Sequence, residues 1–135
     1  MKTPILITAM AIVVITSCQM QNQSEKREQF KKEIVAAEHA FAQMVKEKGL
    51  KEAFSFFAAD SAVLNRSDVI HKGKEAISAL YSNSSGLQNV TLTWTPDYVD
   101  VSSSGDLGYT YGKYQYSGID SFGKTVVSTG IFHTV

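Results

Sequence analysis

The sequence predicts an α+β fold in which helices pack on one face of a bent antiparallel sheet. Three observations point there. Apolar residues recur at helical spacing through the first half of the chain. Three long alternating segments fill the last third. One of these, Gly108-Tyr109-Thr110-Tyr111-Gly112-Lys113-Tyr114-Gln115-Tyr116, is aromatic on both sides. Strand residues alternate faces with period two, so Tyr109 and Tyr111 share one face and Tyr114 and Tyr116 the other. A strand aromatic on both faces needs something against each. Gly108 and Gly112 permit a bend or a close backbone approach.

The elements follow in order. Ser24 is a candidate N-cap, with Glu25 and Glu28 in the first turn, where acids suit the helix dipole. Phe30, Ile34, Ala37, Phe41, Met44 and Val45 then form one buried stripe of a long amphipathic helix. Lys46, Lys48 and Gly49 are its stop signal. A shorter helix from Leu50 to Ala58 buries Leu50, Ala53, Phe54 and Phe57. Ser61 to Asn65 read as a short strand, Arg66 to Asp68 as a turn, and Val69 to His71 as its returning partner. A third helix starts at Gly73-Lys74-Glu75-Ala76-Ile77, faces Ile77, Leu80 and Tyr81 inward, and ends over Asn83 to Gly86. The long strands are Asn89–Val101, Asp106–Ser117 and Lys124–Val135. The first alternates Leu92, Trp94, Pro96 and Tyr98 against Thr91, Thr93 and Thr95. Proline donates no ladder hydrogen bond, so Pro96 marks an edge strand or a bulge.

Ahead of the domain, Lys2 precedes an apolar run from Ile5 to Ile15. The run is short of the roughly 20 residues that span a bilayer and has the layout of a secretory signal peptide. Ile15-Thr16-Ser17-Cys18 resembles a bacterial lipobox, with Ile15 in place of the usual Leu. The resemblance implies cleavage before Cys18, the chain's single cysteine, and acylation of that residue. The expected organisation is a lipoprotein signal peptide over 1–17, a polar tether over 18–24 and one domain over 25–135. More than one acyl chain, at about 0.8 kcal/mol per buried CH₂, makes the anchor stable. The expected location is the bacterial cell envelope, facing the periplasm, with the choice of membrane left open.

Charge excludes one function class. Thirteen basic residues balance 13 acidic ones, and along the first helix they are mixed, as in Glu25-Lys26-Arg27-Glu28. A nucleic-acid surface shows a basic patch instead. With one cysteine and no thiol left after lipidation, no disulfide is expected.

The element order, together with Phe41, Ala53-Phe54, Asp60, Gly73 to Ile77, Trp94-Thr95-Pro96 and Gly105 to Gly112, resembles the nuclear-transport-factor-2-like (NTF2-like) superfamily. Within it the sequence is similar to the SnoaL-like or DUF4440 group, from Glu33 to the end. The resemblance implies a cone, a bent sheet wrapped around the long helix with a pocket at its open end, and a homodimer through the outer sheet face. It also implies one more strand after Thr134, so the chain is expected to be a shortened member lacking its C-terminal strand. Ketosteroid isomerase shares this fold and uses an Asp base with a Tyr and a protonated Asp. The corresponding places hold Asn65, Phe41 and Ile131, none able to do that chemistry.

The histidines, His39, His71 and His133, have no metal-ligand spacing, and neither a metal nor a cofactor is expected. His133 is the one candidate acid or base, expected to face the interior with Thr129 and Ile131 toward Tyr114 and Tyr116. Phe41, Asn65, Trp94, Tyr114, Tyr116, Ile131 and His133 are the expected pocket lining. Three functions compete. The leading one is a lipid-anchored domain that binds a small apolar or aromatic ligand. The second is a SnoaL-like enzyme moving a proton on a small hydrophobic substrate, with His133 as base and Asn65 orienting. The third is a dimerisation scaffold using the outer face around Tyr109 and Tyr111.

Overall fold

A computed structural model describes residues 4–82 and 86–135, with side chains from residue 22 onward. Helix α1 (Pro4–Lys48) is followed by α2 (Leu50–Phe57), strands β1 (Val63–Arg66) and β2 (Val69–Lys72), helix α3 (Lys74–Ser82), and strands β3 (Gln88–Val101), β4 (Gly108–Ile119) and β5 (Thr125–Thr134). β1 and β2 form a two-stranded sheet, and β3-β4-β5 a second antiparallel sheet in that order. This is the α+β architecture expected from the sequence.

Helix α1 begins well upstream of Ser24, so Ser24 lies inside the helix and does not cap it, and residues 18–24 are helical. The side chain of Cys18 and those of the signal segment lie outside the described residues, as do Asn83 to Ser85 at the expected end of α3. Among the described residues no helix is long and apolar enough to cross a membrane. At its other end α1 stops where the sequence says it should. Gly49 adopts a positive φ of 87°, and its N–H closes the last turn on the Val45 carbonyl at 2.9 Å.

The buried stripe of α1 differs from expectation in one residue. Ala37 is exposed and Glu38 is buried in its place. Val45 from α1, Ala53 from α2 and Leu92 from β3 form the centre of the core. Phe41, Met44, Phe54, Trp94, Tyr114 and Tyr116 pack around it. Phe41 touches three rings, with centroids 4.8 Å from Phe54, 4.8 Å from Phe57 and 4.9 Å from Trp94. Offset and edge-on ring pairs of this kind add about 0.5–1.5 kcal/mol each beyond their area burial. Ile77 anchors α3 at 3% exposure.

β3 is both things that Pro96 announced: an edge strand, and bulged. Its register on β4 slips between Pro96 and Tyr98, and again between Gln88 and Thr91. The first slip inverts the alternation. Leu92, Trp94 and Pro96 face the helices above it; Val99 and Val101 do so below it. Tyr98 therefore goes to the outer face, against the simple alternation. β4 and β5 pair over ten consecutive rungs without a slip, from Thr110↔Thr134 to Ile119↔Thr125.

Near the middle of α1, the Arg27 guanidinium donates to the Val101 carbonyl at 2.8 Å and to Asp100 Oδ1 at 2.7 Å. The Lys31 ammonium lies 3.4 Å from the same carboxylate. The Val101 N–H, then Arg27 and Lys31, hold the Asp100 carboxyl below the usual aspartate range.

Candidate functional site

The inner face of the large sheet is defined by what reaches α1. Glu38 is 7% exposed, and each of its carboxylate oxygens is bonded. The Trp94 indole N–H donates to Oε2 at 2.8 Å, and the Thr110 hydroxyl donates to Oε1 at 2.7 Å. Thr110 is itself 1% exposed. Trp94 sits on β3 and Thr110 on β4, so one carboxylate ties α1 to two strands at once. Buried charge is costly unless hydrogen-bonded, and here both partners are neutral donors.

Cross-strand partners share a face. Trp94, Tyr114 and Gly130 form one inner rung, Leu92, Tyr116 and Ser128 the next, and Pro96, Gly112 and Phe132 the one on the other side. Two of these rungs pair a ring with a glycine. A Cβ on Gly130 would fall 2.7 Å from the Tyr114 ring, and one on Gly112 would fall 2.8 Å from the Phe132 ring. The rings thus lie across the backbone of the neighbouring strand, which only glycine permits at that distance. Helix α1 packs chiefly along β3. On β5 the inner positions stay open: Ser128 is exposed, and Gly130 and Phe132 are half-buried. The result is an aromatic shelf of Tyr114, Tyr116 and Phe132, half covered.

The small hairpin closes one side of this interior. The Arg66 guanidinium stands 5.6 Å over the Tyr116 ring, a cation–π contact. Tyr81 from α3 packs on Phe54 at 4.3 Å. Burial raises the Tyr81 phenol above its ordinary value, outweighing the opposing Arg66 charge.

The structure divides the expected pocket lining. Phe41, Trp94, Tyr114 and Tyr116 do meet, on the inner side. Asn65 does not join them: it is exposed and pairs with Ile70 in the separate hairpin. Ile131 and His133 are also elsewhere. His133 is the rung partner of Tyr111 and packs 5.8 Å from Tyr109, while Ile131 pairs with Lys113 and is 77% exposed. Both lie on the outer face, so His133 points away from Tyr114 and Tyr116. The reason is strand parity. His133 and Ile131 are an even number of residues apart from each other, and an odd number from Phe132 and Gly130, which face inward. Among the described residues no cluster of metal-ligating side chains occurs.

The outer face has its own geometry. Tyr98 stacks on Tyr111 at 5.3 Å and lies 5.9 Å from Tyr109. Burial, then the neighbouring Tyr98, pushes the Tyr109 phenol up. Beside these rings runs an open groove of about 660 Å³ whose outward lining is Thr93, Thr95, Lys113, Gln115, Thr129 and Ile131. Glu38 is the residue that the reading by apolar stripe missed. Its signal was present: it stands four residues after Ile34 and three before Phe41, on the stripe.

A long helix packed on a three-stranded antiparallel sheet, with two short helices and a hairpin, makes up the α+β fold of the described residues. Among solved structures the chain is similar to Rv0760c from Mycobacterium tuberculosis, crystallised in complex with estradiol-17β-hemisuccinate, with a TM-score of 0.53 and 21% identity over 73% of this chain and 78% of that one. It is also similar to an NTF2-like protein of unknown function from Exiguobacterium sp. 255-15, with a TM-score of 0.45 and 15% identity over 70% of this chain and 76% of that one. At 21% identity the likeness to the mycobacterial protein shows the fold alone. No protein-family model and no curated protein matches the sequence.

Proposed function

We propose that this is a lipid-anchored NTF2-like domain of the SnoaL-like or DUF4440 kind that holds a small, flat, apolar or aromatic ligand in the bacterial cell envelope. The observation that carries the reading is the half-covered shelf of Tyr114, Tyr116 and Phe132. Flat rings laid against backbone offer broad apolar contact, and Arg66 beside Tyr116 supplies a polar end. The steroid ester held by the mycobacterial protein of similar fold belongs to the same chemical class. The lipobox at Ile15 to Cys18 supports the anchor and the envelope location.

The proton-transfer alternative has less support, because His133 is on the outer face of the large sheet and Asn65 is exposed on the small hairpin. A scaffold reading keeps one observation in its favour. The outer face exposes Tyr98, Tyr111 and Ile131 together, a surface suited to a second copy.

Trp94 is the chain's one tryptophan and shares a rung with Tyr114, so its fluorescence reports on the shelf. Titration with estradiol-17β-hemisuccinate should give a saturable change, weakened about tenfold by Tyr114→Ala, as loss of one ring contact of about 1.4 kcal/mol requires. No saturable change up to the solubility limit would overturn the ligand reading. Mass spectrometry of the full chain expressed in a bacterium tests the anchor; an unmodified Cys18 would remove it.

A further inference from the structure

The β1–β2 hairpin turns a cation toward the aromatic interior. Leu64, Arg66 and His71 share one face of it and are half-buried, while Asn65 and Ile70 on the other face are exposed. The Arg66 guanidinium stands 5.6 Å over the Tyr116 ring, and its charge reaches the Tyr81 phenol. A guanidinium has five N–H donors and no acceptor. Among the described residues none of the five meets a carboxylate or a carbonyl. Arg27 is the contrast, since its donors are taken up by the Val101 carbonyl and the Asp100 carboxylate. A guanidinium that rests its face on a ring keeps its edge for a planar anion, which it grips through two parallel N–H···O bonds.

We infer that Arg66 is the anion-reading residue of the aromatic shelf, and that the ligand is an amphipathic acid, a flat apolar body with a carboxylate at one end. This rests on the shelf reading above and adds the ligand's charge and direction to it. Tyr116, Tyr114 and the rung of Gly112 and Phe132 follow one another along the inner face, with Arg66 at the Tyr116 end. The strand between Tyr116 and Gly112 covers about 14 Å at ~3.4 Å per residue, which is room for several fused rings. Charge along the shelf is graded. Glu38, bonded to Trp94 and Thr110, puts a carboxylate toward the Phe132 end, and Arg66 puts a cation at the other. An acidic head is drawn to Arg66 and repelled from the Glu38 end, which fixes the way the ligand lies. A half-buried ion pair is screened less than one on the open surface, so the contact discriminates. A neutral ligand of the same shape leaves the guanidinium edge unpaired.

Titration of the full chain with estradiol-17β-hemisuccinate and with estradiol, read by Trp94 fluorescence, compares an acid and a neutral ligand on the same rings. The parent should hold the acid at least about tenfold more tightly, and the margin should shrink as salt rises. Arg66→Gln should bring the two ligands to within about twofold of each other, by weakening the acid while estradiol stays within about threefold of its parent affinity. Arg66→Lys keeps the charge, loses the fork and should fall between. Equal affinity of the parent for both ligands, or a preference that survives in Arg66→Gln, would overturn the inference and leave the shelf standing. Loss of both ligands in Arg66→Gln would also overturn it, because the arginine would then hold the shelf together without reading charge. No saturable change with either ligand would remove the shelf itself, and this inference with it.

Discussion

Replacing Glu38 by alanine should be among the most damaging single changes in the chain. The carboxylate accepts from the Trp94 indole at 2.8 Å and from the Thr110 hydroxyl at 2.7 Å, and Thr110 is fully buried. Alanine removes both acceptors and strands two donors, the Thr110 hydroxyl fully buried and the Trp94 indole N–H half-buried. Each stranded donor costs about 1–3 kcal/mol, and the hole left behind adds to that. Part of the loss is offset, because a buried carboxylate without a cation beside it is itself expensive. A net loss of about 3 kcal/mol is expected, a large share of a typical stability of about 5–15 kcal/mol. Glu38→Gln separates the two contributions. Its amide oxygen can accept from Trp94, and its NH₂ can donate to the Thr110 oxygen once that hydroxyl turns. Glutamine keeps the tie and discards the charge, so it should fall within about 1 kcal/mol of the parent. Urea unfolding read by Trp94 fluorescence measures both variants beside the bond in question. If alanine costs under about 1 kcal/mol, or glutamine costs as much as alanine, the two-strand tie is not what holds α1 to the sheet.

Gly130→Ala should lower the melting temperature by several degrees, because the new Cβ meets the Tyr114 ring at 2.7 Å and forces it off the strand at about 1–3 kcal/mol; an unchanged midpoint would mean that the ring moves freely. Asp100 has a depressed folded pKa, so its contribution is present above the unfolded value of about 4 and is lost as pH falls through the folded one. The gap in melting temperature between the parent and Asp100→Asn should therefore be open at pH 7 and close below about pH 4. In the β4–β5 turn, Asp120 Oδ1 accepts from the Phe122 and Lys124 N–H groups, both at 2.9 Å. Asp120→Ala should cost about 1 kcal/mol by denaturant titration and speed hydrogen exchange at those two amides.

The element order was legible because each signal was local: Gly49 ends a helix, Pro96 disturbs a strand, and a helical stripe switches to strand alternation near residue 88. Faces were less legible, because a face is decided by counting from a fixed point and any slip miscounts everything beyond it. Tyr98 shows this directly, since the bulge after Pro96 turns it outward. His133 and Ile131 show it across strands. Their side follows from pairing with Tyr111 and Lys113, and that register is a tertiary fact. Asn65 was placed by analogy in an interior that its short hairpin does not reach. Glu38 escaped because a stripe was sought among apolar residues, and an acid on that stripe becomes intelligible only when Trp94 and Thr110 arrive to bond it.

The slip at Pro96 acts like a dislocation in an otherwise regular lattice. Upstream of it, the even-numbered residues of β3 address the C-terminal end of α1; downstream, the odd-numbered ones address its middle, where Arg27 grips Asp100 and Val101. Substitutions can refine either half without retuning the other. The dislocation is one residue, Asp97, which has no partner on β4 between Pro96↔Gly112 and Tyr98↔Tyr111. Deleting it would let Tyr98 follow Pro96 on the next rung with every face kept, whereas deleting Thr95 instead would leave the bulge in place and turn the residues on one side of it to the wrong face.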